Sequence, residues 1–221
     1  MKTIVCYGDS NTWGFIPVAE DAGSVEYVRF PLGVRWTGVL AQLLGEGYQV
    51  VEEGLNGRTT AYNDLLGKYR NGAKYLGVCL TTNKPVDLLV LMLGVNDTKK
   101  HLLLSAAQIG YGVEKLIKIA RSGDFGPGGI TPEILVVSPA RIREEVMPSW
   151  LRLEFDQGSV LKSQELAEIL YGVARRRGCY YMNAAAYAEV SVADGLHLDA
   201  ENHRKLAETL RTKIIEIFES R

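Results

Sequence analysis

Five short runs of apolar or β-branched residues recur along this chain of 221 residues, and the segments between them place their apolar residues at helical spacing. The runs are Thr3–Tyr7, Gln49–Glu52, Asp87–Leu93, Glu133–Ser138 and Cys179–Asn183. A strand covered on both faces reads as a near-continuous apolar run. Between the runs, Trp36, Val39, Leu40, Leu43 and Leu44 follow a helical period. So do Ile109, Val113, Leu116, Ile117 and Ala120, then Leu166, Ile169, Leu170 and Val173. A last helix is expected from Ala200 to Phe218, with Asp199 as its N-cap and Leu206, Leu210, Ile214, Ile217 and Phe218 facing inward. Strands alternating with helices are the pattern of βαβ units around a mostly parallel sheet, an α/β fold.

At 47% hydrophobic content the chain can bury one sizeable core, and a single domain over residues 1–221 is the expectation. Gly126-Pro127-Gly128-Gly129 ends a helix before the fourth run, and no repeat or linker divides the chain elsewhere. Lys and Arg total 25 against 26 Asp and Glu, a net charge of -1, which argues against nucleic-acid or anionic-membrane partners. Cys6, Cys79 and Cys179 are widely separated and form no C-x-x-C, which fits a reducing compartment. The apolar start, Ile4 to Tyr7, is too brief for a signal-peptide core, and Leu88 to Leu93 is far short of a membrane span. A cytoplasmic location is expected.

Two longer irregular stretches, Phe15 to Val34 and Ala140 to Gly158, follow the first and fourth strands. Ligands of open α/β sheets bind outside the carboxyl ends of the strands, so both stretches are candidates to line a site. Chemistry-bearing residues collect at the same edge. The first strand ends in Gly8-Asp9-Ser10-Asn11, which exposes a hydroxyl at the start of the next helix. Of the three histidines, His203 falls among polar neighbours in the last helix and is expected to face solvent. His101 follows Lys99-Lys100 and has only Asp97 as a nearby carboxylate. His197 lies in Asp194-Gly195-Leu196-His197, where the offset of three lets Asp194 hold the imidazole Nδ1 proton and leaves Nε2 free to act as a base.

Asn96 in Gly94-Val95-Asn96-Asp97 brings a carboxamide NH2 to the end of the third strand, where it could donate to an oxyanion. Gly57, in Glu53-Gly54-Leu55-Asn56-Gly57-Arg58-Thr59-Thr60, can bring its backbone N–H close to a ligand because it lacks a Cβ. Each block alone also fits a polar turn. Jointly they supply a nucleophile, a base, an orienting acid and oxyanion donors from one sheet edge.

In order and spacing these blocks resemble the signature blocks of the SGNH (GDSL-like) hydrolase superfamily. The stretches Cys6 to Gly14, Arg35-Trp36, Glu53 to Thr60 and Met92 to Thr98 are similar to an arylesterase and acyltransferase subgroup. The resemblance implies a flavodoxin-like three-layer α/β/α sandwich with a five-stranded parallel sheet. It implies Ser10, Asp194 and His197 as catalytic residues and Ser10 N–H, Gly57 N–H and Asn96 as the oxyanion hole. It also implies small acyl ester substrates, acyl transfer to alcohols or peroxide in some members, and a homo-oligomer of four or eight copies. No cofactor and no metal are expected. Asn11 stands where the family name has leucine, and Gly57 where some relatives have alanine; neither is a departure in a reacting group.

The aromatic residues Trp13, Phe15, Phe30, Trp150 and Phe155 are candidates for the wall of a narrow acyl pocket, an interface or plain core, with Trp13, Trp150 and Phe155 the pocket choice. Two other readings stay open at this stage: a carbohydrate O-acetyl esterase, and a non-catalytic doubly wound binding domain. Against the second, there is no G-x-G-x-x-G and no G-x-x-x-x-G-K-[ST]. The absence of G-x-S-x-G argues against an α/β-hydrolase, and the absence of H-E-x-x-H against a zinc protease.

Overall fold

The computed structural model describes residues 1–18 and 28–220, so the part of the first irregular stretch at 19–27 lies outside the described residues. Five parallel strands, β1 Lys2–Gly8, β2 Tyr48–Gly54, β3 Leu88–Met92, β4 Glu133–Ser138 and β5 Tyr180–Asn183, form one sheet in the order β2-β1-β3-β4-β5. Among the described residues six helices accompany them: α1 Ser10–Trp13, α2 Trp36–Leu44, α3 Gly72–Asn83, α4 Ala106–Ala120, α5 Gln157–Arg176 and α6 Ala200–Glu219. This is the expected flavodoxin-like arrangement.

Alternate residues of each central strand feed two different cores. Ile4, Cys6, Leu88, Val90, Leu135 and Val137 pack with Trp36 and Leu40 of α2 and Leu206, Leu210 and Ile214 of α6. Val5, Tyr7, Leu89, Leu91, Ile134 and Val136 pack on the other side with Leu76 and Leu80 of α3, Val113 and Leu116 of α4, and Leu170 and Val173 of α5. Because both faces are buried, the strands read as continuous apolar runs rather than alternating ones. A third, smaller core of Val95, Ile142, Val146, Leu151, Phe155, Val160 and Leu196 lies beyond the sheet edge. Residues 140–158 contribute Ile142, Val146, Leu151 and Phe155 to it and include two short 3-10 turns, Glu144–Val146 and Trp150–Leu153.

Helix starts follow local chemistry. Asp199 caps α6 by accepting the Asn202 N–H at 2.9 Å, as its sequence suggests. Ser105 and Gln108 form a capping box on α4. At the start of α2, Arg35 makes a two-pronged pair with Glu52 of β2, at 2.5 and 2.7 Å. Helix α3 was not visible as a periodic segment. Its sequence carries two glycines and two threonines, and the buried stripe is reduced to Gly72, Leu76, Cys79 and Leu80. Among the described residues no helix is long and apolar enough to cross a membrane.

The expected solvent-facing position of His203 is overturned, for this side chain is fully buried. It continues the inward stripe of α6, lying three and four residues before Leu206 and Ala207. Its Nδ1 accepts the Trp36 N–H at 3.2 Å, satisfying a first-turn amide of α2, and its ring meets Phe30 edge-on at 5.3 Å. Burial lowers its pKa from 6.5 to about 3. The neutral ring therefore contributes stability that is fully present above pH 6.5 and is lost as pH falls from there toward 3, where the unfolded chain binds the proton more readily. The variant His203→Asn keeps an acceptor for the Trp36 N–H but cannot titrate. Its melting temperature should fall less steeply than the parent's between pH 6.5 and 4; parallel curves in thermal scans would contradict this.

Candidate active site

Parallel pairing brings the working residues together. Gly8 of β1 is in register with Gly54 of β2 and with Met92 of β3, so the three strands end level. The order turns back between β1 and β3, the crevice where ligands of such sheets bind. Ser10 is the first residue of α1, where an N–H has no partner within its own helix. Asp9 caps this short helix, accepting the Asn11 N–H at 3.0 Å, and its burial raises its pKa to about 6.

The Ser10 hydroxyl lies 2.9 Å from His197 Nε2, and His197 Nδ1 lies 2.7 Å from Asp194 Oδ2. Asp194 is fully buried, and its other oxygen accepts the N–H groups of Leu196 at 3.0 Å and His197 at 2.9 Å. With the carboxylate accepting at Nδ1, the imidazole presents an Nε2 lone pair to the hydroxyl. Phe15 stacks on the imidazole with ring centroids 4.3 Å apart. The sequence-expected offset of three between Asp194 and His197 thus closes into a tight turn, with Gly195 at φ 72°. That turn sits under the 140–158 segment, where Arg143 N–H donates to Gly195 O at 2.9 Å.

Opposite this chain stand the other two candidates. Gly57, at φ 77°, and Asn96 line the same small cavity as Ser10 and His197. The Asn96 Nδ2 donates one proton to Arg58 O at 3.2 Å, which fixes the carboxamide and leaves its second N–H for a ligand. Asp97 accepts both the N–H of Thr60, at 3.0 Å, and its hydroxyl, at 2.5 Å. This ties the loop after β3 to the loop after β2. Burial raises the pKa of Asp97 to about 7. Arg58 is 3% exposed and donates from Nη1 to Gly8 O at 2.9 Å and to Glu53 O, bridging the ends of β1 and β2.

The cavity has a volume of about 50 Å³. Its lining is partly apolar, from Phe15, Trp150, Leu151, Phe155 and Leu196, and partly polar, from Asn56, Arg70, Lys99 and Glu154. Trp150 and Phe155 line the cavity that holds Ser10 and His197. Trp13 does not: it packs beside Phe15 at 6.4 Å, with the Arg29 guanidinium 5.2 Å from its ring. Phe30 belongs to the His203 contact. His101 does not line the cavity; its Nε2 lies 3.1 Å from Asp64 Oδ1. A larger cleft of about 620 Å³ runs between β5 and α6, but its lining holds no serine, cysteine or histidine. Among the described residues, no group of three or more His, Cys, Asp or Glu side chains is arranged to hold a metal ion.

Sequence reasoning missed what Asn11 does. Its Nδ2 donates to Leu196 O at 3.1 Å and its Oδ1 accepts the Leu198 N–H at 2.8 Å. One side chain thus grips the backbone on both sides of His197 and locks it to the residue after Ser10. A motif signal existed, since a carboxamide beside a nucleophile can pair with a peptide as another peptide would. Asn11→Ala should lower kcat by about 10- to 100-fold through a displaced His197, with KM little changed. Steady-state kinetics at a single pH would check this, and an unaltered kcat would remove the role.

Residues 6–205 match the sequence profile of the GDSL-like lipase/acylhydrolase family. Among solved structures, the chain is similar to the native aryl esterase of M. smegmatis, with 37% identity and a TM-score of 0.91 over 98% of this chain and 99% of that one. It is also similar to Est24, a carbohydrate acetylesterase from Sinorhizobium meliloti, with 32% identity and a TM-score of 0.88 over 98% and 100% of the two chains. A putative arylesterase from Agrobacterium tumefaciens shares 32% identity over 98% and 100%, with a TM-score of 0.86. A search of curated protein sequences gave no match.

Proposed function

The chain belongs to the GDSL-like lipase/acylhydrolase family and is a carboxylic ester hydrolase, and from that premise we propose that it cleaves small acyl esters through an acyl-enzyme on Ser10. The observation that carries the reading is the hydrogen-bonded series Ser10, His197, Asp194, closed at 2.9 and 2.7 Å across 187 residues of sequence.

In the first step His197 Nε2 takes the Ser10 proton as Oγ bonds to the ester carbonyl carbon. The carbonyl oxygen becomes an oxyanion held by the N–H groups of Ser10 and Gly57 and by Asn96 Nδ2. Collapse breaks the bond to the alcohol oxygen, which leaves with the proton from His197. Water then attacks the acyl-enzyme, giving its proton to His197, and the second collapse returns that proton to Ser10 Oγ. An alcohol or peroxide in place of water would carry the acyl group away as a new ester or a peracid. Asp194 accepts the hydrogen bond from His197 Nδ1 throughout and so stabilises the imidazolium.

The small cavity supports a short acyl group, because each added methylene must displace Phe15, Trp150 or Phe155 from their packing. Its polar lining residues, together with the similarity to a carbohydrate acetylesterase, support acetylated sugars as the second substrate class. Turnover of aryl acetates compared with acetylated sugars separates the two classes.

Ser10→Ala should abolish turnover of 4-nitrophenyl acetate, and turnover within a few-fold of the parent would end the serine assignment. Asn96→Ala should retain a weak activity, lower by about 10²–10³ in kcat. Across a series of acyl lengths, kcat/KM should drop about tenfold or more from acetate to octanoate. Equal rates for the two would contradict the short-acyl reading.

A further inference from the structure

A guanidinium stands beside the Gly57 amide, and the ester mechanism above makes no use of it. A Cβ placed on Gly57 would lie 2.5 Å from Arg70 Nε and 2.8 Å from Arg70 Cζ. An amide nitrogen is about 2.5 Å from the Cβ of its own residue, two bonds away. Arg70 Nε is therefore within about 5 Å of the Gly57 nitrogen, by the same bond geometry. The group also fills the Cβ space of Gly67, so two glycines bracket it.

Two partners hold the residue, one on its side chain and one on its backbone. Arg70 Nη1 pairs with Asp64 Oδ2 at 2.7 Å. The Arg70 carbonyl accepts the Thr59 N–H at 2.9 Å and the Thr59 hydroxyl at 3.2 Å, two residues along from Gly57. The side chain is 19% exposed and lines the cavity that holds Ser10, Asn96 and His197. Asp64 does not depend on Arg70 alone for its countercharge, because Lys99 Nζ lies 3.0 Å from the same oxygen.

We infer that Arg70 is a fourth contributor to the oxyanion site, its guanidinium held between Gly57 and Gly67 so that positive charge lies next to the amide that receives the oxyanion. The inference rests on the acyl-enzyme reading. It also accounts for glycine at position 57, since an alanine methyl group would take the space that the guanidinium fills. Lys99 and Arg70 are balanced locally by Asp64 and Glu154, so the effect is short-ranged and smaller than loss of a direct donor.

The charge acts as the oxyanion forms, so it belongs in kcat and not in KM. Arg70→Gln should lower kcat for 4-nitrophenyl acetate by about tenfold with KM within about twofold, and Arg70→Lys should recover most of the loss. Gly67→Ala, which displaces the guanidinium without deleting it, should lower kcat in the same direction and covers the case in which Arg70→Gln does not fold. An unchanged kcat in Arg70→Gln or in Gly67→Ala, a loss confined to KM, or an Arg70→Lys no better than Arg70→Gln would overturn the inference. Ser10→Ala in the same assay keeps the two questions apart: residual turnover there overturns the acyl-enzyme reading, whereas the Arg70 variants test only the added charge.

Discussion

The site depends on the register of three parallel strands. Gly8 pairs in register with both Gly54 and Met92, so β1, β2 and β3 release their chains at one level. From there Ser10 is two residues on, Gly57 three and Asn96 four. A slip of one residue in either pairing would move a partner by about 3.3 Å along the strand. That exceeds the tolerance of a hydrogen-bonded constellation. The sheet order makes the arrangement possible, because β1 lies between the strands that follow it and all three ends open into one crevice.

Buried polar ties then hold the loops at that level. Arg58 bridges Gly8 O and Glu53 O, Asn96 holds Arg58 O, and Asp97 grips Thr60. Asn11 performs the corresponding task for the last turn, pairing with the backbone on both sides of His197. Two of the carboxyl groups in this region, Asp9 and Asp97, have pKa values raised to about 6 and about 7 by burial. Keeping such groups out of water opposes folding, and a site assembled from them trades stability for fixed geometry. The apolar roof over the cavity comes from a separate small core, in which Phe155 and Leu151 pack with Val146 and Leu196.

Much of this was legible in the chain because the same physics wrote both. Unbroken apolar runs marked strands covered on two faces, and β4 spans Glu133–Ser138 as its run indicates. Asp199 was readable as a cap because its side chain has a local partner. Ser10, His197, Asp194, Gly57 and Asn96 were candidates because their blocks jointly follow strand ends, and the fold brings Ser10, Gly57, Asn96 and His197 to one cavity with Asp194 behind His197. What escaped depended on tertiary neighbours. His203 has polar sequence neighbours but lies on the inward stripe of α6, against the start of α2. Helix α3 has too few apolar positions to show a period, and Trp13 turns toward Arg29 instead of the cavity. The position of Arg70 beside Gly57 follows from a loop that no local pattern encodes.

The central claim is that one serine, at the end of β1, carries the acyl group. The most direct measurement is mass-spectrometric mapping of the adduct left by a fluorophosphonate ester. The account predicts a single adduct per chain, on the peptide that contains Ser10, and no adduct when His197 is replaced by alanine. An adduct on a different residue, or continued ester turnover by protein that carries no adduct on Ser10 after full exposure to the reagent, would contradict it.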